Sequence, residues 1–298
     1  MVFLNVLFPI FVLVGIGYAL ARGGHLPAES LAKLTFWILT PALIFHELSD
    51  SEMELSVFLD YAVYIGLLSI LFVGLALLVA RARRLSTDTT SALALSLVLS
   101  NTANYGLPLL LFAFGQEAFE LGMVYVSLST LVMSTLGVAI ATWDGTFHWH
   151  PLLNIFRTPL VYAVALAVLV RFTETELPVF LMRPIELLSD ATIPVMLLLL
   201  GTQLVGVQLG KRLPLIGTAT LIRLGVAPIA GWALSTLLGF SGLLQTTAII
   251  EASMPTAVNA VVLSTVYDRD PRLTSSVVLT TTLASVLTLG LLVIILNG

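Results

Sequence analysis

The sequence contains no cysteine, and only 10% of its 298 residues are charged. The first absence excludes disulfides, thiolate metal sites and cysteine nucleophiles. The second excludes an ordinary water-soluble domain, in which about 25% of residues are charged. With 58% hydrophobic residues and a mean hydropathy of +1.05, the chain lacks the polar surface to clothe a globule. A net charge of −4, without a long basic tract, argues against a nucleic-acid partner. Enzyme signatures are missing as well. His46-Glu47 lacks the second histidine of H-E-x-x-H, and there is neither a G-x-S-x-G elbow nor a Walker loop. His148 and His150 flank Trp149 without a third ligand, so no metal or other cofactor is expected.

What is present is a succession of apolar runs, the pattern of an all-α polytopic membrane protein. Ten stretches are bounded by charge, Gly and Pro: 2–20, 30–48, 57–80, 89–114, 119–142, 155–171, 185–206, 213–238, 242–267 and 273–296. Alternating ten-residue strands are absent, so the crossings read as helices. The N-terminus lacks a positive leader region and reads as a retained first helix. The mixed region 172–184 reads as a surface loop or short interfacial helix. Ten of the 13 Lys and Arg residues fall at the odd-numbered connections, among them Arg81, Arg83, Arg84, Arg212, Arg269 and Arg272. The positive-inside rule then puts those connections in the cytoplasm and both termini outside; the expected location is the inner membrane of a prokaryote. The acidic run Glu47, Asp50, Glu52, Glu54 faces outward as a solvated stretch.

The two halves correspond at an offset of about 150 residues. Asn5–Pro9 matches Asn154–Pro159, Pro41 matches Pro194, and the loop Phe114–Glu120 falls opposite Val266–Arg272. Residues 1–142 and 155–296 therefore read as two five-helix repeats, the second inverted because five is odd. Inverted repeats of this kind build secondary transporters, with sites where the halves meet.

The fourth and ninth runs are interrupted at corresponding places, by Ser100-Asn-Thr-Ala-Asn-Tyr-Gly-Leu-Pro108 and by Glu251-Ala-Ser-Met-Pro-Thr-Ala-Val-Asn259. Asn and Gly are poor helix residues, and Pro removes a donor. Unwound backbone at membrane depth must line a polar cavity or be reburied in protein. Half-helix N-termini there favour an anion, and Asn amides add neutral donors and acceptors. The plainer alternative is a pair of proline-kinked helices whose Asn side chains glue neighbours together. Glu251 is an intramembrane carboxylate suited to a coupling Na+ or proton. Its structural alternative is a partner for Arg223. Arg223, within the eighth helix, pairs with Glu251, Asp190 or a substrate carboxylate, or else snorkels to the cytoplasmic face. Asp190 is either such a partner or a helix cap. His46 reads as interfacial.

At these residues the chain resembles the auxin efflux carrier family, the permeases that include the PIN-type carriers. The resemblance rests on Asn101-Thr-Ala-Asn104-Tyr-Gly106-Leu-Pro108, on Glu251-Ala-Ser-Met254-Pro255-Thr-Ala-Val-Asn259, on Ala191-Thr-Ile-Pro194 with Gly201, and on Arg223-Leu-Gly-Val-Ala-Pro228. It covers nearly the whole length. It implies a ten-helix fold like that of sodium–proton antiporters and bile-acid sodium symporters. Helices 1, 2, 6 and 7 (1–48, 155–206) would form a scaffold. Helices 3–5 and 8–10 (57–142, 213–296) would form a mobile transport domain, with helices 4 and 9 crossing at Pro108 and Pro255. The implied substrate contacts are Asn101, Asn104 and Asn259, with Gly106 and Met254 beside them. The long cytoplasmic loop of many plant PIN carriers is missing, so auxin itself does not follow; family relatives are also linked to malate and malonate.

The expectation is a secondary transporter for a small organic anion, working by elevator-type alternating access, uncoupled or coupled to Na+ or H+. Family analogy implies a homodimer through the scaffold, in contact with lipid. Rival expectations are a cation–proton or sodium-coupled exchanger of the same fold and a non-transporting membrane sensor.

Overall fold

The computed structural model describes residues 6–50, 55–144, 153, 156, 158–173, 175, 177–206, 210 and 212–297. Among these the protein is helical, and the sole β-type pairing is one isolated bridge. Glu52, Glu54, His148, His150, Arg157 and Lys211 lie outside the described residues.

The helices are α1 (Phe8–Arg22), α2 (Ala28–Leu34), α3 (Thr40–Asp50), α4 (Leu55–Arg83), α5 (Thr87–Val98), α6 (Leu107–Phe114), α7 (Gln116–Val132) and α8 (Val138–Thr142). They continue as α9 (Pro159–Phe172), α10 (Val179–Thr202), α11 (Leu213–Leu221), α12 (Ala227–Leu237), α13 (Gly242–Ala252), α14 (Asn259–Val266) and α15 (Pro271–Asn297). Short π-helical turns at Thr35–Leu39, Met133–Gly137 and Ile222–Val226 join α2 to α3, α7 to α8 and α11 to α12. Among the described residues, six continuous helices are long and apolar enough to cross a membrane, and Phe8–Arg22, Thr102–Phe114 and Pro159–Phe172 are shorter apolar ones.

Proline explains most of the π turns. Those at Thr35–Leu39, Thr102–Gly106 and Ile222–Val226 end two residues before Pro41, Pro108 and Pro228. A proline ring clashes with the carbonyl four residues back and cannot donate to it, and a widened turn accommodates both defects. Elsewhere, starts and stops follow ordinary chemistry. The Ser86 hydroxyl accepts from Thr89 N–H to cap α5. Gly115, at φ +85°, makes the turn from α6 to α7 that a side chain would resist.

One boundary differs from the sequence expectation. The stretch 179–184, part of the region 172–184 expected as a surface loop or short interfacial helix, is the first part of α10, which runs unbroken through Pro184 and Pro194. Pro178 stands at the N-cap, where its missing donor does no harm.

The surface is apolar where lipid would lie, as at Leu237 (82% exposed) and Leu287 (76% exposed). Several buried hydroxyls are satisfied locally. Ser69, Ser96, Ser127 and Thr281 each donate to the carbonyl four residues back. α1 packs along α10, and α3 along α9 and α10. Small residues set the α1–α10 distance: a Cβ on Gly17 would collide with the Leu198 carbonyl, and one on Gly201 with the Val14 carbonyl. α4 packs on α5 and α7, and α12 on α13. Tyr61 and Tyr64 of α4 donate to the Leu244 and Ala248 carbonyls of α13, both at 3.1 Å. At the arginine-rich end, Arg269 pairs with Asp88 at 2.7 Å and Arg212 with Asp270 at 3.0 Å. These pairs clasp α5, α11 and the start of α15.

Candidate functional site

Both interrupted runs break, and the breaks touch. α5 ends at Val98, and Leu99 is extended. α13 ends at Ala252, and Met254 precedes a proline, a position that disfavours helix. The two loosened strands meet antiparallel at Ser100 and Thr256. Asn101 N–H donates to the Pro255 carbonyl and Ala257 N–H to the Leu99 carbonyl, each at 2.8 Å. Side chains extend the joint: Thr256 Oγ1 donates to the Ser96 carbonyl at 2.7 Å, and Thr256 N–H donates to Thr281 Oγ1 at 3.2 Å. The backbone released by unwinding is thus rebonded across the crossing.

Arg223 closes the joint from the α11–α12 side. It is fully buried, and its three hydrogen bonds all go to backbone carbonyls. Nε donates to Met254 at 2.9 Å, one terminal nitrogen to Leu97 at 3.1 Å, and the other to Ala252 at 2.7 Å. The Phe72 ring lies 5.1 Å from the guanidinium carbon. Leu97 and Ala252 stand at the ends of α5 and α13, where a terminating helix leaves its carbonyls unpaired, and Met254 lies just beyond. Each helix C-terminus carries about half a negative charge, so two converging termini roughly match one guanidinium. Among the described residues no ion pair joins Arg223 to Glu251 or Asp190. The expected charge partnership, and snorkelling, give way to this carbonyl clamp, because two helix ends converge beside the side chain and one carboxylate does not. Asp190 lies inside α10 on an exposed face, where it caps nothing.

A cavity of about 140 Å³ lies against the crossing. Asn101, Asn104, Asn259 and Arg223 line it, together with Thr35 of the first π turn, Met133 and Gln203. Its walls are otherwise largely apolar, with Phe72, Val126 and Leu199 among them. Asn101 is 5% exposed and its Nδ2 has no hydrogen-bond partner. Asn259, at the start of α14, donates to the Met133 sulfur at 3.0 Å. Gln203 was not singled out in the sequence; its Oε1 is buried and also without a partner. The available signal was a lone amide just beyond the apolar run Val195–Leu200 and Gly201.

The remaining candidates sit apart from this cavity. Pro255 contributes its carbonyl to the bridge, but Pro108 lies in the first turn of α6, beyond the crossing, and does not line the cavity. Met254 is buried and serves Arg223 through its backbone. Glu251 is fully buried and does not line the cavity, and neither carboxylate oxygen has a hydrogen-bond partner. It lies against Gly106: a Cβ there would stand 2.6 Å from Oε1 and 2.7 Å from Cδ. Gly122 of α7 approaches the same carboxylate, its would-be Cβ 3.5 Å from Oε1. At Gly106 glycine is needed because the carboxylate occupies the space a side chain would take; at Gly122 the nearer obstacle is Leu110, whose Cδ1 would stand 2.5 Å from a Cβ.

Comparison with known proteins bears on this arrangement. The sequence profile of a family described as membrane transport protein matches residues 2–151 and 149–293. An uncharacterized transporter of Methanocaldococcus jannaschii is 29% identical, covering 98% of either chain. An uncharacterized transporter of Methanothermobacter thermautotrophicus is 29% identical over 95% of this chain and 94% of its own. A Rhizobium meliloti protein, whose name gives malonate transport as a provisional assignment, is 28% identical over 97% of this chain and 95% of its own.

Proposed function

From the premise that this chain belongs to the membrane transport protein family, that of the auxin efflux carriers, we propose that it is a secondary transporter for a small organic anion. The observation that carries the reading is the bonded crossing with the unpartnered Asn101 amide beside it. Arg223 occupies the negative ends of α5 and α13, so the amide-rich starts of the following helical segments are the unneutralised dipoles at the cavity. A carboxylate suits those ends and the donors of Asn101 and Asn104. The cavity is of the size that holds a benzene-like volume, which favours a short carboxylate. The provisional malonate assignment of one relative points the same way.

The mechanism proposed is alternating access. The chain crosses ten times as two inverted sets of five helices, and the crossing travels with α4–α8 and α11–α15 against a scaffold of α1–α3, α9 and α10. The orientation proposed keeps the arginine-rich connections in the cytoplasm of a prokaryote and both termini outside, with the scaffold forming the homodimer contact. Glu251 supports coupling: a buried carboxylate without a partner costs several kcal/mol when ionised, so it calls for a proton or a cation such as Na+. The same observation favours a second reading, a cation–proton exchanger of this fold.

Uptake and efflux in proteoliposomes test the crossing. Asn104→Ala and Pro255→Ala are expected to impair carboxylate flux, and full activity in both removes the crossing from the mechanism. Glu251→Gln separates the two readings. In an anion carrier it alters the ion dependence of flux, whereas in a cation exchanger it abolishes exchange and leaves carboxylate binding untouched.

A further inference from the structure

Two residues that line the cavity each carry a buried polar atom without a partner, and the crossing accounts for only one of them. Asn101 Nδ2 is a donor on the crossing itself. Gln203 Oε1 is an acceptor at the end of α10, a helix that packs against the Thr102–Gly106 turn. A buried polar atom left without a partner is destabilising, so it is kept where something else completes it. The neighbouring hydroxyls differ: Thr35 donates to the Leu31 carbonyl at 2.9 Å, and Thr130 to the Val126 carbonyl at 2.9 Å. Leu199, Val126 and Phe72 contribute apolar wall to the same cavity, beside hydroxyls such as Ser69 and Ser129. A donor on one element, an acceptor on another and a partly apolar wall suit a ligand with a negative end, a short body and a protic far end.

We propose that Gln203 is a specificity-determining contact, accepting a hydrogen bond from a protic group at the end of the solute remote from its carboxylate. The site then selects carboxylates that carry a second donor, such as a hydroxyl or a protonated second carboxyl, over plain aliphatic monocarboxylates. This rests on the proposed reading of the crossing as an anion site and names the substrate class for it. Because Gln203 belongs to α10 and Asn101 to the crossing, the solute spans two separately anchored elements.

The test is calorimetric binding to the purified full-length protein in nanodiscs, with butyrate, 3-hydroxybutyrate and 4-hydroxybutyrate as probes. The wild type is expected to bind at least one hydroxy acid about tenfold more tightly than butyrate, the worth of one well-formed hydrogen bond in a buried site. In Gln203→Leu that ratio falls to about one while butyrate affinity holds. Gln203→Asn, which keeps an amide but withdraws it by one methylene, also loses the preference and serves if the leucine variant fails to fold. Asn101→Ala weakens all three ligands by a common factor. A wild type that prefers neither hydroxy acid, or a preference that persists in both Gln203 variants, overturns the role of Gln203 and leaves the anion site standing. If the wild type binds none of the three, the anion reading itself fails and this proposal with it.

Discussion

Asn101 and Pro255 meet main chain to main chain, the amide of the first donating to the carbonyl of the second at 2.8 Å. The contact leaves the Asn101 side chain free of structural duty, with its Nδ2 buried and unpartnered beside the cavity. Asn101→Ala therefore removes an orphaned donor without breaking the bridge. The melting temperature is expected to hold or rise slightly, while carboxylate affinity falls about tenfold. Thermal unfolding in detergent, with and without ligand, reads both quantities, and a variant that binds as tightly as the parent refutes the assignment.

Arg223 offers the opposite case, a side chain whose visible duty is structural. Arg223→Met strands the Leu97, Ala252 and Met254 carbonyls in the interior. The expected cost is about 3 kcal/mol or more, a fall of roughly 6–12 °C in Tm. Arg223→Lys keeps the charge but loses the fork that reaches three acceptors, so its loss should lie between. Equal stability of all three proteins contradicts the clamp.

The α1–α10 contact gives a packing test remote from the cavity. Gly201→Ala sets a methyl group into the Val14 carbonyl, and Gly17→Ala does the same to Leu198. Each is expected to destabilise by about 1–3 kcal/mol through overpacking. Gly66 and Gly74, which face open space in α4, are the controls and should tolerate alanine. Chemical denaturation curves for the four variants decide the matter.

Glu251→Gln replaces a lone carboxyl with a neutral group of the same shape. A protein that carries this carboxylate as a proton or cation holder loses the Na+ or pH dependence of its transport when the group is replaced. Stability should be held or raised, since no partner is abandoned. Flux measured at two pH values, with and without Na+, gives the answer. Unchanged ion dependence removes Glu251 from the coupling.

Much of this was legible in the residues. Asn, Gly and Pro interrupting apolar runs at Ser100–Pro108 and Glu251–Asn259 located both breaks, because few other residues dismantle a helix at that depth. That the breaks bond to each other, Leu99 to Ala257 and Asn101 to Pro255, is a tertiary fact with no local signature. Arg223 was recognised as an intramembrane charge, but charge rules search for a countercharge and overlook converging helix ends. Gln203 went unremarked because one amide at the end of an apolar run resembles any interfacial residue. Its significance lies in the cavity, which the linear order does not reveal. Pro184 gave a false boundary: a proline near the beginning of a long helix need not end it.

The knot of bonds at Asn101, Pro255, Thr256 and Arg223 also restricts how the molecule can flex. α5, α13 and the α11–α12 bend are sewn together through main-chain acceptors, so none of them can slide without tearing several bonds at once. α10 meets the Thr102–Gly106 turn with no such stitch among the described residues. That seam is therefore where the two sides of the pocket are least firmly tied to each other.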